Sequence, residues 1–116
     1  RRRGYTFQGY SDESSWSRGA GWAVLGFAST ARATGNTRWL DVAARIAEGW
    51  LTELGGRDCP PWDFTDPSAE PTLDSSAAAI MAAALLDIGS LHPDASTCSP
   101  VSRATISHAT THIAAC

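Results

Sequence analysis

Apolar residues recur at helical spacing in three segments of this chain, and that periodicity constrains its fold more than any other feature. In the first segment the apolar positions follow one another at three-residue steps: Trp22, Leu25, Ala28 and Ala31. Residues three and four apart lie on one face of an α-helix, so these positions form a single apolar stripe. The spacing predicts a helix over residues 16–33. Gly35 suits the left-handed position that follows a helix.

A second helix is predicted over residues 38–54. Its apolar residues share one face and are Leu40, Ala43, Ala47, Trp50 and Leu51. Asn36 or Thr37 can cap its first turn, and the pair Gly55-Gly56 ends it. We assign Trp39 and Trp50 to helix packing.

A third helix is predicted over residues 76–88, capped by Asp74 or Ser75 and closed by Gly89. Six of the eight residues 77–84 are alanine. Such small side chains allow a neighbouring helix to approach closely.

Two segments are predicted to be loops, and no strand is predicted. The first fifteen residues are rich in Gly, Ser, Asp and Glu, and residues 57–73 hold four of the six prolines. Prolines at that density favour a long loop, and a loop of that length in a compact domain is often functional. Three helices with glycine-containing connectors indicate an all-α fold.

Composition excludes several classes of protein. Hydrophobic residues make up 43% and charged residues 18% of the 116 residues, which is typical of a globular domain. The net charge of −3, with one basic run at residues 1–3, argues against nucleic acid as a partner. No apolar run is long enough to span a bilayer, so no membrane partner is expected.

The cysteines indicate a redox compartment. Cys59, Cys98 and Cys116 are widely spaced, and an odd count without framework spacing favours reduced thiols. We therefore expect a cytoplasmic location, although secretion stays open.

Two segments carry more specific information than the helix pattern. Residues 8–22 read QGYSDESSWSRGAGW. Further on, PWDF at residues 61–64 is followed by DSSAAAI at residues 74–80. An aromatic face can stack on the apolar face of a sugar ring, and a guanidinium can bind a carboxylate through two hydrogen bonds. Arg18 and Trp22 lie four apart and so share a helix face.

Each of these residues also has a structural interpretation. A tryptophan at a helix start is more often in the core, and an arginine beside it is more often an ion-pair or cation–π partner. Asp74 is most simply a helix N-cap, and Trp62 and Phe64 either line a pocket or anchor the loop. Asp12 and Glu13 are adjacent carboxylates in a polar loop and are interpreted as solvated.

These motifs resemble the QGYxDxSxWxRGxxW signature, the WDF loop and the DSSAAAI helix start of unsaturated glucuronyl hydrolases, glycoside hydrolase family 88. The match runs from about Tyr5 to Ile88 in the same order. The family fold is an (α/α)6 toroid, six helical hairpins in a ring. The resemblance implies that residues 1–95 are part of such a domain, from its carboxy-terminal half. Residues 96–116 match poorly and are expected to be an aberrant or disordered tail.

The resemblance also implies a reaction. In this family an aspartic acid protonates C4 of a 4,5-unsaturated uronic acid, water adds at C5, and collapse of the hemiketal releases the neighbouring sugar. No metal and no organic cofactor are implied. The family's two catalytic aspartates lie upstream of the QGY motif, so no catalytic residue is expected here. The expected partners are an unsaturated uronate-containing oligosaccharide and the amino-terminal hairpins of the same barrel.

The resemblance implies that four residues bind substrate: Gln8, Trp16, Arg18 and Trp22. The chain departs from the family pattern where Ala20-Gly21 replaces a glutamine-containing pair before Trp22, and where Leu73 replaces a basic residue. Two alternatives stay open, namely the unsaturated rhamnogalacturonyl hydrolases and a non-catalytic helical remnant. His108 and His112 have the spacing of a metal motif but lack its glutamate, so we interpret them as coincidence.

Overall fold

The computed structural model describes residues 5–91, which form three helices. They are α1 at Ser17–Thr34, α2 at Arg38–Leu54 and α3 at Ser75–Leu91. Within this described part no strand occurs, and only isolated bridges join Trp16 to Asp63 and Pro61 to Leu73. The all-α prediction is confirmed. The expectations for the tail at residues 96–116, and for its histidines, lie outside the described residues.

Glycines end the first two helices as the sequence predicts. Gly35 has φ 67° and its N–H donates to the carbonyl of Ala31 at 2.9 Å, while Gly55 has φ 61° and donates to Leu51. Only glycine adopts this left-handed conformation without steric cost. Between α1 and α2, the side chain of Asn36 accepts the N–H of Arg38 at 3.1 Å.

The third helix begins as predicted and ends later than predicted. Oδ1 of Asp74 accepts the N–H of Ala77 at 3.0 Å, which is an N-cap hydrogen bond. The prediction that Gly89 closes α3 is wrong, because the helix continues to Leu91. A glycine inside a helix costs only about 1 kcal/mol relative to alanine. Burial of the neighbouring Ile88 in the core offsets that cost.

Helix α1 packs between α2 and α3. Its buried face carries Gly21, Val24, Ala28 and Ala31. The predicted stripe began at Trp22, but that side chain is 53% exposed, so the prediction is wrong at this position. Because α2 and α3 both cover α1, its buried face is wider than a single stripe of residues at three-residue steps. That face is also rotated away from Trp22.

The alanine-rich helix allows the close approach that its composition predicts. A Cβ added at Gly21 would lie 3.3 Å from Cγ2 of Ile80 and 3.7 Å from the carbonyl oxygen of Ala77. The α1 backbone therefore rests almost directly on α3. At their far ends Arg32 and Asp87 join the same two helices by an ion pair of 2.6 Å.

Two tryptophans hold α2 in place, as expected. Trp50 is buried, donates through Nε1 to the carbonyl of Ser17 at 3.0 Å, and meets Phe64 edge-to-face at 5.5 Å between ring centroids. Trp39 stacks on Phe27 at 5.6 Å. The Trp50 side chain therefore packs in the core, and the Trp39 side chain packs at the edge of the core.

Cys59 is disulfide-bonded, so the expectation of reduced thiols is wrong for this residue. Spacing along a sequence does not exclude a bond between distant segments. Disulfides persist mainly in oxidising compartments. The expectation of a cytoplasmic location rested on reduced thiols. Cys59 does not support it, and the location stays an untested prediction. Among the described helices, none has the length and apolar character needed to cross a membrane.

Candidate functional site

The buried carboxylate of Asp63 joins the QGY loop to the WDF loop. Its Oδ2 accepts the N–H of Tyr10 at 2.8 Å and the hydroxyl of Ser14 at 2.6 Å. Its Oδ1 accepts the N–H and the hydroxyl of Thr65 at 3.0 and 2.7 Å. The side chain is 1% exposed. Gly9 is part of this packing, since an added Cβ would lie 2.8 Å from Oγ of Ser14.

The hydrogen bonds around Asp63 keep it ionised. Burial alone raises the pKa of a carboxyl group, but the donors Ser14, Tyr10 and Thr65 together outweigh that effect and leave the pKa of Asp63 below its ordinary value. A carboxylate in this state accepts hydrogen bonds and does not donate a proton at neutral pH. Asp63 is therefore suited to holding the loops together and unsuited to general acid catalysis.

Backbone hydrogen bonds align the same two segments next to the start of α1. The N–H of Ser17 donates to the carbonyl of Trp62 at 3.1 Å, and the N–H of Phe64 donates to that of Ser15 at 2.9 Å. The hydroxyl of Ser17 adds a second bond to Trp62 at 3.0 Å. The proline-rich loop is thus hydrogen-bonded to the first residue of α1 and fixes the position of the start of that helix.

An ion pair between α1 and α3 engages Arg18. Its Nε donates to Oδ2 of Asp74 at 3.0 Å, and its Nη2 lies 2.8 Å from the same oxygen in an ion pair. The Asp74 side chain is 3% exposed and that of Arg18 is 42% exposed. The arginine therefore has an inner edge held by protein and an outer edge open to solvent.

The two candidate tryptophans have different environments. Trp16 is half-buried and covers Gly19 so closely that an added Cβ there would lie 2.4 Å from Cε3 of the indole. Trp22 lies four residues beyond Arg18 on α1 and is 53% exposed. The glycine of the WxRG sequence is thus required by the packing of Trp16, whereas Trp22 offers an open aromatic face.

Gln8 lies in the loop before α1 and is exposed. Its backbone N–H donates to the hydroxyl of Thr6 at 3.2 Å, and no hydrogen bond joins its side chain to residues 5–91. The structure therefore places Arg18 and Trp22 on one face of α1, with Trp16 at the start of that helix. It establishes no contact between these residues and Gln8.

Asp63 is the residue whose importance sequence reasoning missed. Its partners lie 49 and 53 residues away, in a loop with no periodicity to indicate a contact. The aspartate at the centre of the WDF motif was the available signal. Among residues 5–91, no three side chains of His, Cys, Asp or Glu are grouped so that they could hold a metal ion.

The chain is similar to known glycosidases. No family model matches it. The unsaturated glucuronyl hydrolase of Bacillus sp. (strain GL1) is 43% identical over 90 residues, which are 76% of this chain and 24% of that protein. The unsaturated chondroitin disaccharide hydrolase of Streptococcus agalactiae serotype III (strain NEM316) is 37% identical over 79 residues, which are 66% of this chain and 20% of that protein. The chain thus spans between a fifth and a quarter of the length of these relatives.

A solved structure agrees with the sequence comparison. The crystal structure of unsaturated glucuronyl hydrolase from Bacillus sp. GL1, responsible for the degradation of glycosaminoglycan, superposes with a TM-score of 0.84 at 38% identity. The superposition covers 98% of this chain and 30% of that one. This likeness confirms that the helices are part of a toroid of helical hairpins.

Proposed function

The chain belongs to the unsaturated glucuronyl hydrolase family, and we propose that it forms one wall of the site where the complete enzyme removes a 4,5-unsaturated uronic acid from the non-reducing end of an oligosaccharide. The observation that carries the proposal is the pairing of an open aromatic face, Trp22, with the exposed outer edge of Arg18 on one side of α1.

That pair has the chemistry needed to bind an unsaturated uronic acid. A sugar ring presents an apolar face to an aromatic ring and carries a carboxylate that a guanidinium can bind through two parallel hydrogen bonds. Arg18 carries the charge and Trp22 the apolar surface, one helical turn apart. Trp16 and Gln8 are proposed to extend this wall on the side of the QGY loop.

Proton transfer is proposed to occur outside this segment. The family reaction needs a carboxylic acid that stays protonated until it donates, which requires a raised pKa. Asp63 has a lowered pKa and is the acceptor in all four of its hydrogen bonds. Asp74 is committed to a helix cap and to Arg18. The segment therefore contributes to substrate binding, and the rest of the barrel contributes the acid and base.

The test is an assay of the complete protein that contains this chain. With a 4,5-unsaturated glucuronyl disaccharide, we expect the ultraviolet absorbance of the conjugated double bond to disappear at roughly 1–1000 turnovers per second. The 116-residue chain alone should show no such loss. Turnover of an unsaturated rhamnogalacturonyl substrate only would support the rhamnogalacturonyl alternative. Absence of turnover with either substrate would support a non-catalytic remnant.

A further inference from the structure

We propose that Asp74 is a positioning residue that orients Arg18 for substrate. The inference rests on the proposed function, because Arg18 is the substrate-binding residue through which Asp74 acts. Its role is to hold the inner edge of the guanidinium so that the outer edge faces the sugar.

The two oxygens of Asp74 have separate partners. Oδ1 accepts the N–H of Ala77 and caps α3, while Oδ2 accepts the Nε–H of Arg18 and forms an ion pair with its Nη2 at 2.8 Å. The side chain is almost fully buried, and the N–H of Asp74 itself donates to the carbonyl of Pro60 at 2.8 Å. The carboxylate cannot turn away from Arg18 without breaking the cap. It is therefore a fixed anchor.

The anchored arginine keeps its second binding edge. The Nε–H donates to Asp74, Nη2 lies 2.8 Å from the same oxygen, and Nη1 makes no hydrogen bond within residues 5–91. The pair of N–H groups on Nη1 and Nη2 thus remains for a planar carboxylate. Trp22 is exposed one turn further along the same helix. A long side chain already held in one rotamer loses less freedom when a ligand binds, so the anchor favours binding.

The capping role and the positioning role of Asp74 can be separated by substitution. Serine and asparagine are helix N-caps of similar quality to aspartate. Asp74→Ser keeps one oxygen for the Ala77 N–H but removes the negative charge and the second oxygen that holds Arg18. Asp74→Asn also keeps a capping oxygen. In place of the second carboxylate oxygen it has an amide NH2 group, which cannot accept a hydrogen bond from Arg18.

The experiment compares kcat/KM of the complete protein with that of Asp74→Ser, Asp74→Asn, Arg18→Ala and the double variant Asp74→Ser/Arg18→Ala. We expect each Asp74 variant to lose about tenfold or more in kcat/KM, the scale of one charged hydrogen bond. The double variant should be no worse than Arg18→Ala. Losses that multiply in the double variant, or an unchanged kcat/KM in both Asp74 variants, would overturn the proposal.

Asp87→Ser is the matched control. Asp87 also pairs with an arginine across α1 and α3, but at the opposite end of these helices, and the distance from Nη2 of Arg32 is 2.6 Å. This variant should keep the kcat/KM of the unmodified protein. An equal loss in Asp87→Ser and Asp74→Ser would mean that any ion pair between these helices serves, which contradicts a positioning role.

Failure of the proposed function is recognised separately. If the unmodified protein turns over no unsaturated uronide, or if Arg18→Ala keeps its full kcat/KM, the substrate role of Arg18 fails. Anchoring is then decided by the nuclear magnetic resonance signal of the Arg18 Nε–H. A signal protected from exchange in the unmodified protein and lost in Asp74→Ser upholds the anchor. Equal exchange in both overturns it.

Discussion

The hydroxyl of Ser14 lies 2.6 Å from Oδ2 of Asp63, a residue 49 positions further along the chain and 1% exposed. The same oxygen accepts the N–H of Tyr10. Two loops that carry separate sequence motifs are therefore joined at one buried carboxylate. The conformation of the QGY loop, and with it the entry to α1, depends on Asp63.

We predict that Asp63→Ala destabilises the complete protein by about 2–3 kcal/mol, because it removes the acceptor of four part-buried hydrogen bonds. The effect should concentrate in the QGY loop, so the amide of Tyr10 should exchange with solvent much faster than in the unmodified protein. Asp66→Ala is the control, since Asp66 lies in the same loop and its side chain accepts hydrogen bonds only from Trp62 and Ser68, not from the QGY loop. Hydrogen exchange and chemical denaturation measure both changes. Equal effects at the two positions would contradict a special role for Asp63.

We predict that the contribution of Asp63 depends on pH in one direction. Its pKa is lowered in the folded state relative to the ordinary value of 3.8. The unfolded chain therefore binds the proton first as pH falls. The stabilisation is fully present above the ordinary value and is lost as pH falls through the lower, folded value. The stability difference between the unmodified protein and Asp63→Asn should thus be constant near neutral pH and shrink below pH 3.8. A difference that grows on acidification would refute this assignment.

We predict opposite effects for two glycine substitutions in α1. Gly19→Ala places a Cβ 2.4 Å from the indole of Trp16, whereas a Cβ at Gly26 meets nothing within 4 Å. Gly19→Ala should therefore displace Trp16 and cost about 1–3 kcal/mol, the usual range for overpacking. Gly26→Ala should gain up to about 1 kcal/mol from helix propensity. Thermal unfolding reports on both substitutions, and the nuclear magnetic resonance signal of the Trp16 indole N–H reports on its displacement. A stabilising Gly19→Ala would show that the indole moves aside freely.

Local sequence patterns predicted the helices and their caps because both depend on neighbouring residues. The periodicity located all three helices, and the glycine at residue 35 and the aspartate at residue 74 have the predicted roles. The contacts of Asp63 could not be predicted in this way, because they join two aperiodic loops. The Arg18–Asp74 ion pair could not be predicted either. The sequence indicated only that an arginine beside a tryptophan is often part of an ion pair.

We predict that the chain expressed alone associates or aggregates. Several large apolar side chains of the described residues are exposed: Tyr5, Phe7, Tyr10, Trp22, Leu73 and Leu86. In a toroid, neighbouring hairpins pack against the outer faces of each hairpin, and exposed apolar surface promotes association when they are missing. Size-exclusion chromatography with light scattering tests this. A soluble monomer with a cooperative unfolding transition would contradict it.

We predict that Arg18→Ala reduces the activity of the complete protein far more than Arg45→Ala. Arg45 is exposed on α2 and points away from the core, so its removal should change stability by no more than about 0.5 kcal/mol. Arg18 is proposed to bind the uronate, and its loss should cost about 1.5–3 kcal/mol of transition-state binding. Arg18→Ala also leaves the buried carboxylate of Asp74 without its cation, so a stability loss accompanies the kinetic one.

The two effects are separated by measuring kcat/KM on the folded fraction together with the thermal midpoint. A purely structural role for Arg18 lowers the midpoint and leaves the specific activity of the folded fraction intact. A substrate-binding role lowers kcat/KM at temperatures where the variant is fully folded. Because Lys retains the charge but cannot offer a planar pair of donors, Arg18→Lys should recover little of that loss. Equal kinetic effects of Arg18→Ala and Arg45→Ala would show that the exposed edge of Arg18 does not face substrate.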